Sequence, residues 1–200
     1  MKKIIFFAAA IIGSVTAVNA QSQTPSQAKV KVNVELKPFQ SIEIGGGKGS
    51  GNDGGAVTGG YDDEVTLKYQ NINDYTKGVE RTVLKQLKVS SVGSGYRVKA
   101  TLSSLNFKKE AGDGVAQYDA KKLLEIQVGG KTATTDVNMD FGPIGENSNA
   151  GSSVLNQELD VKYIGKPLNE TAVTELLGKN GDRNTNAKYT IDVVYTIAAN

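Results

Sequence analysis

The sequence predicts an all-β chain: an antiparallel β-sandwich with one short helical insertion ahead of its last strand. Three observations carry that expectation. Apolar and polar residues alternate in segment after segment, the period of a strand with one buried face. Gly, Asn, Asp and Ser separate these segments, marking turns rather than the crossover helices that a parallel sheet needs. Near the C-terminus a single segment shifts to helical spacing.

Taken in order, the first twenty residues read as an address rather than as structure. Met1-Lys2-Lys3 is a positive start and Ile4–Ile12 an uncharged apolar run. Val18-Asn19-Ala20 then places small residues where a signal peptidase cuts, between Ala20 and Gln21. The apolar run breaks at Gly13-Ser14, well short of the roughly 20 residues that a spanning helix requires. Residues 1–20 are therefore expected to be a signal peptide, 21–28 a flexible polar tail and 29–200 one domain. Within that domain Val30, Val32, Val34 and Leu36 alternate with Lys29, Lys31, Asn33 and Glu35, the pattern of a first strand.

Residues 45–60 hold nine glycines in sixteen positions and are expected to form a mobile loop. Alternation resumes at Val65-Leu67-Tyr69, Leu87-Val89, Tyr96-Val98-Ala100-Leu102 and Leu159-Val161-Tyr163. Leu123–Val128 and Ala133–Met139 are further expected strands, and residues 73–82 a short helical turn or loop around Gly78. Over 168–177, Leu168, Ala172, Val173, Leu176 and Leu177 share one helical face. Asn169 or Thr171 suits the N-cap, and Gly178 the C-terminal cap. Last comes the clearest alternation, with Tyr189, Ile191, Val193, Tyr195 and Ile197 on one face of a single predicted strand.

Composition removes much chemistry. The chain has no His, Cys or Trp, so zinc sites built on Cys or His, thiol nucleophiles, histidine-based triads and disulfides are excluded. Lys2 and Lys3 are the only charged residues among the first twenty. Beyond Ala20 the chain carries 21 basic and 21 acidic residues, with no basic block to attract nucleic acid or an anionic membrane. No nucleic-acid partner and no membrane insertion are expected, and no cofactor.

The apparent motifs lack the context their chemistry needs. Gly49-Ser50-Gly51-Asn52-Asp53-Gly54 spells G-x-G-x-x-G, but glycine and then a strand come next instead of the helix that would hold a pyrophosphate. Asp182-Arg183-Asn184-Thr185-Asn186 begins like a calcium loop, yet Ala187 and Val193 stand where its glycine and bidentate glutamate belong. Asp62-Asp63-Glu64, Asn52-Asp53 and Asp113 read as solvated turn residues, with no metal site expected. The acids lie at strand edges and in turns, so paired-carboxylate hydrolysis finds no cleft wall and no enzyme is expected. Among the aromatics, Tyr69, Tyr96, Tyr163, Tyr189 and Tyr195 are in phase with core positions. Tyr61, Tyr75 and Tyr118 fall in expected loops and are the candidates for a contact surface, glycan being one ligand they could meet.

The closing strand Tyr189–Ile197, ending the sequence with Ala198-Ala199-Asn200, resembles the last strand of secreted bacterial pilin-like and spore-coat-type sandwich proteins. Val32–Ile44 is similar to their first strands. The resemblance covers about a tenth of the chain. It implies an antiparallel immunoglobulin-like β-sandwich and a structural or adhesive role as a fimbrial (pilus) subunit. The setting it implies is the surface or periplasm of a Gram-negative bacterium. It also implies partners that are copies of the chain or related exported subunits, joined where an extended N-terminal strand completes a neighbour's sheet. Val30, Val32, Val34 and Leu36 are the residues that would pair. The glycine-rich stretch and the helical insertion depart from a plain pilin. The alternative expectation is a monomeric module, extracellular or periplasmic, that binds glycan or another exported protein.

Overall fold

The computed structural model describes residues 31, 33–45, 49–50 (backbone only), 64–145, 147–149, 151–178 and 186–200. The chain divides into two units, Met1–Glu35 and Leu36–Asn200, and the second carries all the described secondary structure. In chain order its elements are β1 (Phe39–Ile44), β2 (Gly49–Ser50), α1 (Ile72–Lys77), β3 (Val79–Val92), β4 (Tyr96–Leu102), β5 (Asn106–Ala111) and β6 (Gln117–Asp119). Next come α2 (Ala120–Leu123), β7 (Leu124–Val128), β8 (Lys131–Thr132), β9 (Asn138–Gly142), β10 (Val154–Gly165), α3 (Glu170–Leu177), β11 (Lys188–Thr190) and β12 (Val193–Ala199). Every pairing is antiparallel. The all-β, antiparallel, sandwich-like architecture expected from the alternation is the observed one, with the short helix α3 ahead of the last strands.

The principal sheet has the order β1-β3-β10-β7-β8, with β2 also on β3. A second sheet runs β12-β4-β9 and a third β11-β5-β6. Val83, Leu87 and Val89 of β3, Ile126 and Val128 of β7 and Val161 of β10 form one side of the core. Tyr96, Val98, Ala100 and Leu102 of β4 and Met139 and Phe141 of β9 form the other. Two tyrosine hydroxyls join the layers. Tyr195 of β12 donates to Tyr163 of β10 (2.9 Å), and Tyr163 donates to Gln86 Oε1 of β3 (3.0 Å). A smaller core under the third sheet gathers Tyr118, Ala172 and Leu176, with Leu123, Leu168 and Tyr189 packed against it.

Local chemistry sets the element ends. Asn169 caps α3 by accepting from Ala172 N–H (2.8 Å), and Gly178 closes it at positive φ, as that segment's spacing predicts. At α1, Asn71 and Asp74 form a reciprocal capping box that starts the helix at Ile72; Gly78 at positive φ ends it after Lys77, and β3 starts at Val79, inside the 73–82 segment expected as a short helical turn or loop. The register of β3 against β10 shifts between Leu159 and Val161. Lys85 sits there at positive φ, its N–H held by Asp160 Oδ1 (2.7 Å).

Four expectations need correction. Residues 64–70 keep the predicted alternation, with Val65 and Leu67 packed on the core, but they pair in no ladder; Tyr69 is tied instead through its hydroxyl to the Lys166 carbonyl (2.7 Å). Ala133–Val137 is likewise outside any ladder, and the strand begins only at Asn138. Thr135 is buried because its hydroxyl satisfies the Leu124 carbonyl (2.7 Å). The single strand predicted over Tyr189–Ile197 is two, β11 and β12, serving different sheets. Finally, the predicted strand over Lys29–Leu36 is not one where it is described: residues 33–38 join no ladder, and Val34 and Leu36 are 79% and 87% exposed.

Candidate interaction surfaces

Among the described residues the sheet orders leave β1, β2, β8, β9, β12, β6 and β11 as edge strands. An open edge presents unpaired N–H and C=O groups, and proteins blunt such edges with charge, proline or brevity. Six of the seven are blunted, β2 by being only two residues long. β8 and β11 are two and three residues long and begin with lysine. β6 is three residues long and ends in Asp119, β9 carries Asp140, and β1 carries Glu43 and starts directly after Pro38. The exception is β12, whose seven residues VVYTIAA include neither a charge nor a proline.

The geometry of β12 reflects its sequence. Val193, Tyr195 and Ile197 point inward and pack against the core, while Val194, 56% exposed, points out. Its one ladder, to β4, runs from Val193↔Leu102 to Ala199↔Tyr96. The inward residues are only half-buried, whereas Val83, Val98, Val128 and Val161 deeper in the layers are fully enclosed. The apolar layer thins toward this side, where β1 also approaches β12 without pairing to it.

The predicted contact tyrosines separate. Tyr118 is not a surface residue: it is 6% exposed and packs beneath α3. Burial raises its hydroxyl pKa, with smaller contributions from Glu175 and Asp119. Its strand has three residues, too few to show alternation. Tyr75 is half-buried on α1, its ring 5.5 Å from that of Tyr69, and its carbonyl accepts from Leu168 N–H (2.7 Å). Tyr61 lies outside the described residues, as do Ala20, Gln21, Val30 and Val32.

Of the glycine-rich stretch, Gly45 and the two-residue strand β2 are described and the rest is not. Of the calcium-like run only Asn186 is described, and Asp53, Asp62 and Asp63 lie outside; Glu64 and Asp113 are exposed. Among the described residues no three acidic side chains converge as metal ligands, and no helix is long and apolar enough to cross a membrane.

The tyrosine pair sits directly behind the β12 edge. Burial raises the pKa of both hydroxyls, more so for Tyr195, where the neighbouring Tyr163 adds to the effect. Both stay protonated and so able to donate in the geometry described. A scan against protein-family models finds no match for this chain, and a search of the curated proteins finds none either.

Proposed function

We propose that this protein is a secreted, non-enzymatic structural or adhesive protein of the bacterial surface. In this reading it is a pilin-like subunit that assembles by strand pairing, with residues 29–36 of one copy adding to the open β12 edge of another. The observation that carries this reading is β12, a seven-residue edge strand with no charge and no proline. Such an edge is either an aggregation hazard or a pairing site. The complementary part is in the same sequence. Val34 and Leu36 belong to an alternating run, stand exposed and join no ladder among the described residues.

In that pairing, backbone hydrogen bonds along β12 supply affinity. Val30, Val32, Val34 and Leu36 set the register, entering the thinned apolar layer beside Val193, Tyr195 and Ile197. Lys31, Asn33 and Glu35 at the intervening positions remain in water.

Size-exclusion chromatography and electron microscopy of residues 21–200 and 37–200 test the reading. Oligomers or filaments from the longer chain, and a folded monomer from the shorter, are expected. A monomer from both chains overturns strand donation.

A further inference from the structure

At the start of β3 stands an arginine with no ion-pair partner among the described residues. Val79, Arg81 and Val83 alternate onto one face of the strand, and Val83 on that face is fully buried. Arg81 is half-buried, its Nε is closed off from solvent without a hydrogen-bond partner, and no ion pair reaches it among the described residues. Both neighbouring carboxylates are committed elsewhere. Glu80, which borders the same cleft as Arg81, holds Lys162 Nζ at 2.7 Å. Asp74 accepts from the N–H of Gln70 (2.7 Å), the N–H of Asn71 (3.1 Å) and Nδ2 of Asn71 (2.9 Å), closing the cap of α1.

A guanidinium drawn partly out of water without a counter-charge is costly to the fold and ready to accept an anion. Arg81 lines an open cleft of about 320 Å³, bounded also by Thr66, Leu67, Gln70 and Val79, by Lys68, and by the two committed carboxylates Asp74 and Glu80. That volume lies at the small end of ligand sites, room for one ring rather than an extended chain. The planar fork of arginine matches a carboxylate. Thr66 and Gln70, both exposed on one side of the same segment, present a hydroxyl and an amide at the cleft wall, and Leu67 and Val79 add apolar surface.

We propose that this cleft binds a small ligand bearing one carboxylate on a hydroxylated ring, an acidic sugar, with Arg81 as the carboxylate-binding residue. The site is independent of the β12 edge and of assembly.

Titration calorimetry of the purified chain with glucuronate, glucose and glutamate tests it, beside R81Q and R81K. Glucuronate is expected to bind saturably, with glucose and glutamate each roughly tenfold weaker or worse. R81Q is expected to weaken glucuronate roughly tenfold while its unfolding midpoint stays level or rises, since an unpaired charge has been removed. R81K, which keeps the charge but loses the fork, is expected to fold normally and to bind more weakly than the parent. Absence of glucuronate binding, equal binding of glucose, or unchanged affinity in both variants overturns the proposal. Glutamate binding as tightly as glucuronate also overturns it, by pointing to an acidic peptide instead.

Discussion

Replacing Tyr195 and Tyr163 by phenylalanine, singly and together, tests how the two layers of the sandwich are joined. The Tyr195 hydroxyl donates across the layers to Tyr163 (2.9 Å), and the Tyr163 hydroxyl in turn donates to Gln86 Oε1 (3.0 Å). Tyr195→Phe deletes one donor and leaves Tyr163 still bonded to Gln86. Its cost is that of one ordinary hydrogen bond, about 1 kcal/mol, or a fall in Tm of about 2–4 °C for a chain of this size. Tyr163→Phe removes two bonds at once and strands the Tyr195 hydroxyl behind the edge strand. An unsatisfied group adds its desolvation penalty, so about 2–3 kcal/mol is expected. The double variant strands no hydroxyl on Tyr195, so it costs less than the two singles added together, by about 1 kcal/mol. Urea denaturation followed by circular dichroism measures all three stabilities. Equal costs for the two single variants, or strict additivity in the double, would refute the relay.

Burial raises the hydroxyl pKa of Tyr69, Tyr96, Tyr163 and Tyr195 above 10.0, the ordinary value. The unfolded chain ionises first, so their contribution is complete below about pH 10 and is lost as pH rises beyond it; denaturation midpoints that stay level from pH 9 to 12 would contradict this. Gly114→Ala sets a methyl group against the carbonyl oxygen of Leu176, backbone that cannot give way without moving α3. A loss of about 3 kcal/mol is expected by thermal melting, and a loss under about 1 kcal/mol would show that α3 is free to shift. Val194→Lys puts a charge on the exposed face of β12. Stability should stay within about 0.5 kcal/mol of the parent while any assembly of residues 21–200 weakens at low salt, and sedimentation velocity showing undiminished assembly would count against β12 as the acceptor edge.

Period and punctuation made much of the fold legible. The helix at 170–177 was readable because its apolar spacing, Asn169 cap and Gly178 stop all agree. The inward faces of β4 and β10 were readable because each has one fully buried side. Elsewhere the same signal misled, because alternation reports which side chains are buried and not whether the backbone finds a partner. Val65 and Leu67 are inward without a ladder, and Thr135 is buried for the sake of one carbonyl. Tyr118 reads as a loop residue in the sequence, though it is buried, because a three-residue strand carries no period. The capping box of Asn71 and Asp74, two residues three apart in the sequence, is a signal in plain view that places the start of α1. Neither candidate surface was legible. The exposure of β12 depends on sheet order, and the isolation of Arg81 on where Asp74 and Glu80 place their hydrogen bonds, both tertiary facts.

The break in the closing strand bears directly on assembly. Tyr189 through Ile197 alternates without a flaw, yet the ladder stops at Thr190 and resumes at Val193, because the segment pairs first with β5 and then with β4. The switch is clamped at Asp192, whose N–H donates to Ser103 Oγ (3.2 Å) and whose carbonyl accepts from Ser103 N–H (3.0 Å). At the far end the N–H of Asn200 donates to the Gly95 carbonyl (3.2 Å). Pinned at both ends and backed by the tyrosine pair, β12 joins no ladder other than that to β4 among the described residues. Ordering a strand costs roughly 1–2 kcal/mol per residue in backbone entropy. For an edge already fixed that cost falls on the incoming segment alone, which is the arrangement that favours a donated strand over mutual pairing of two loose edges.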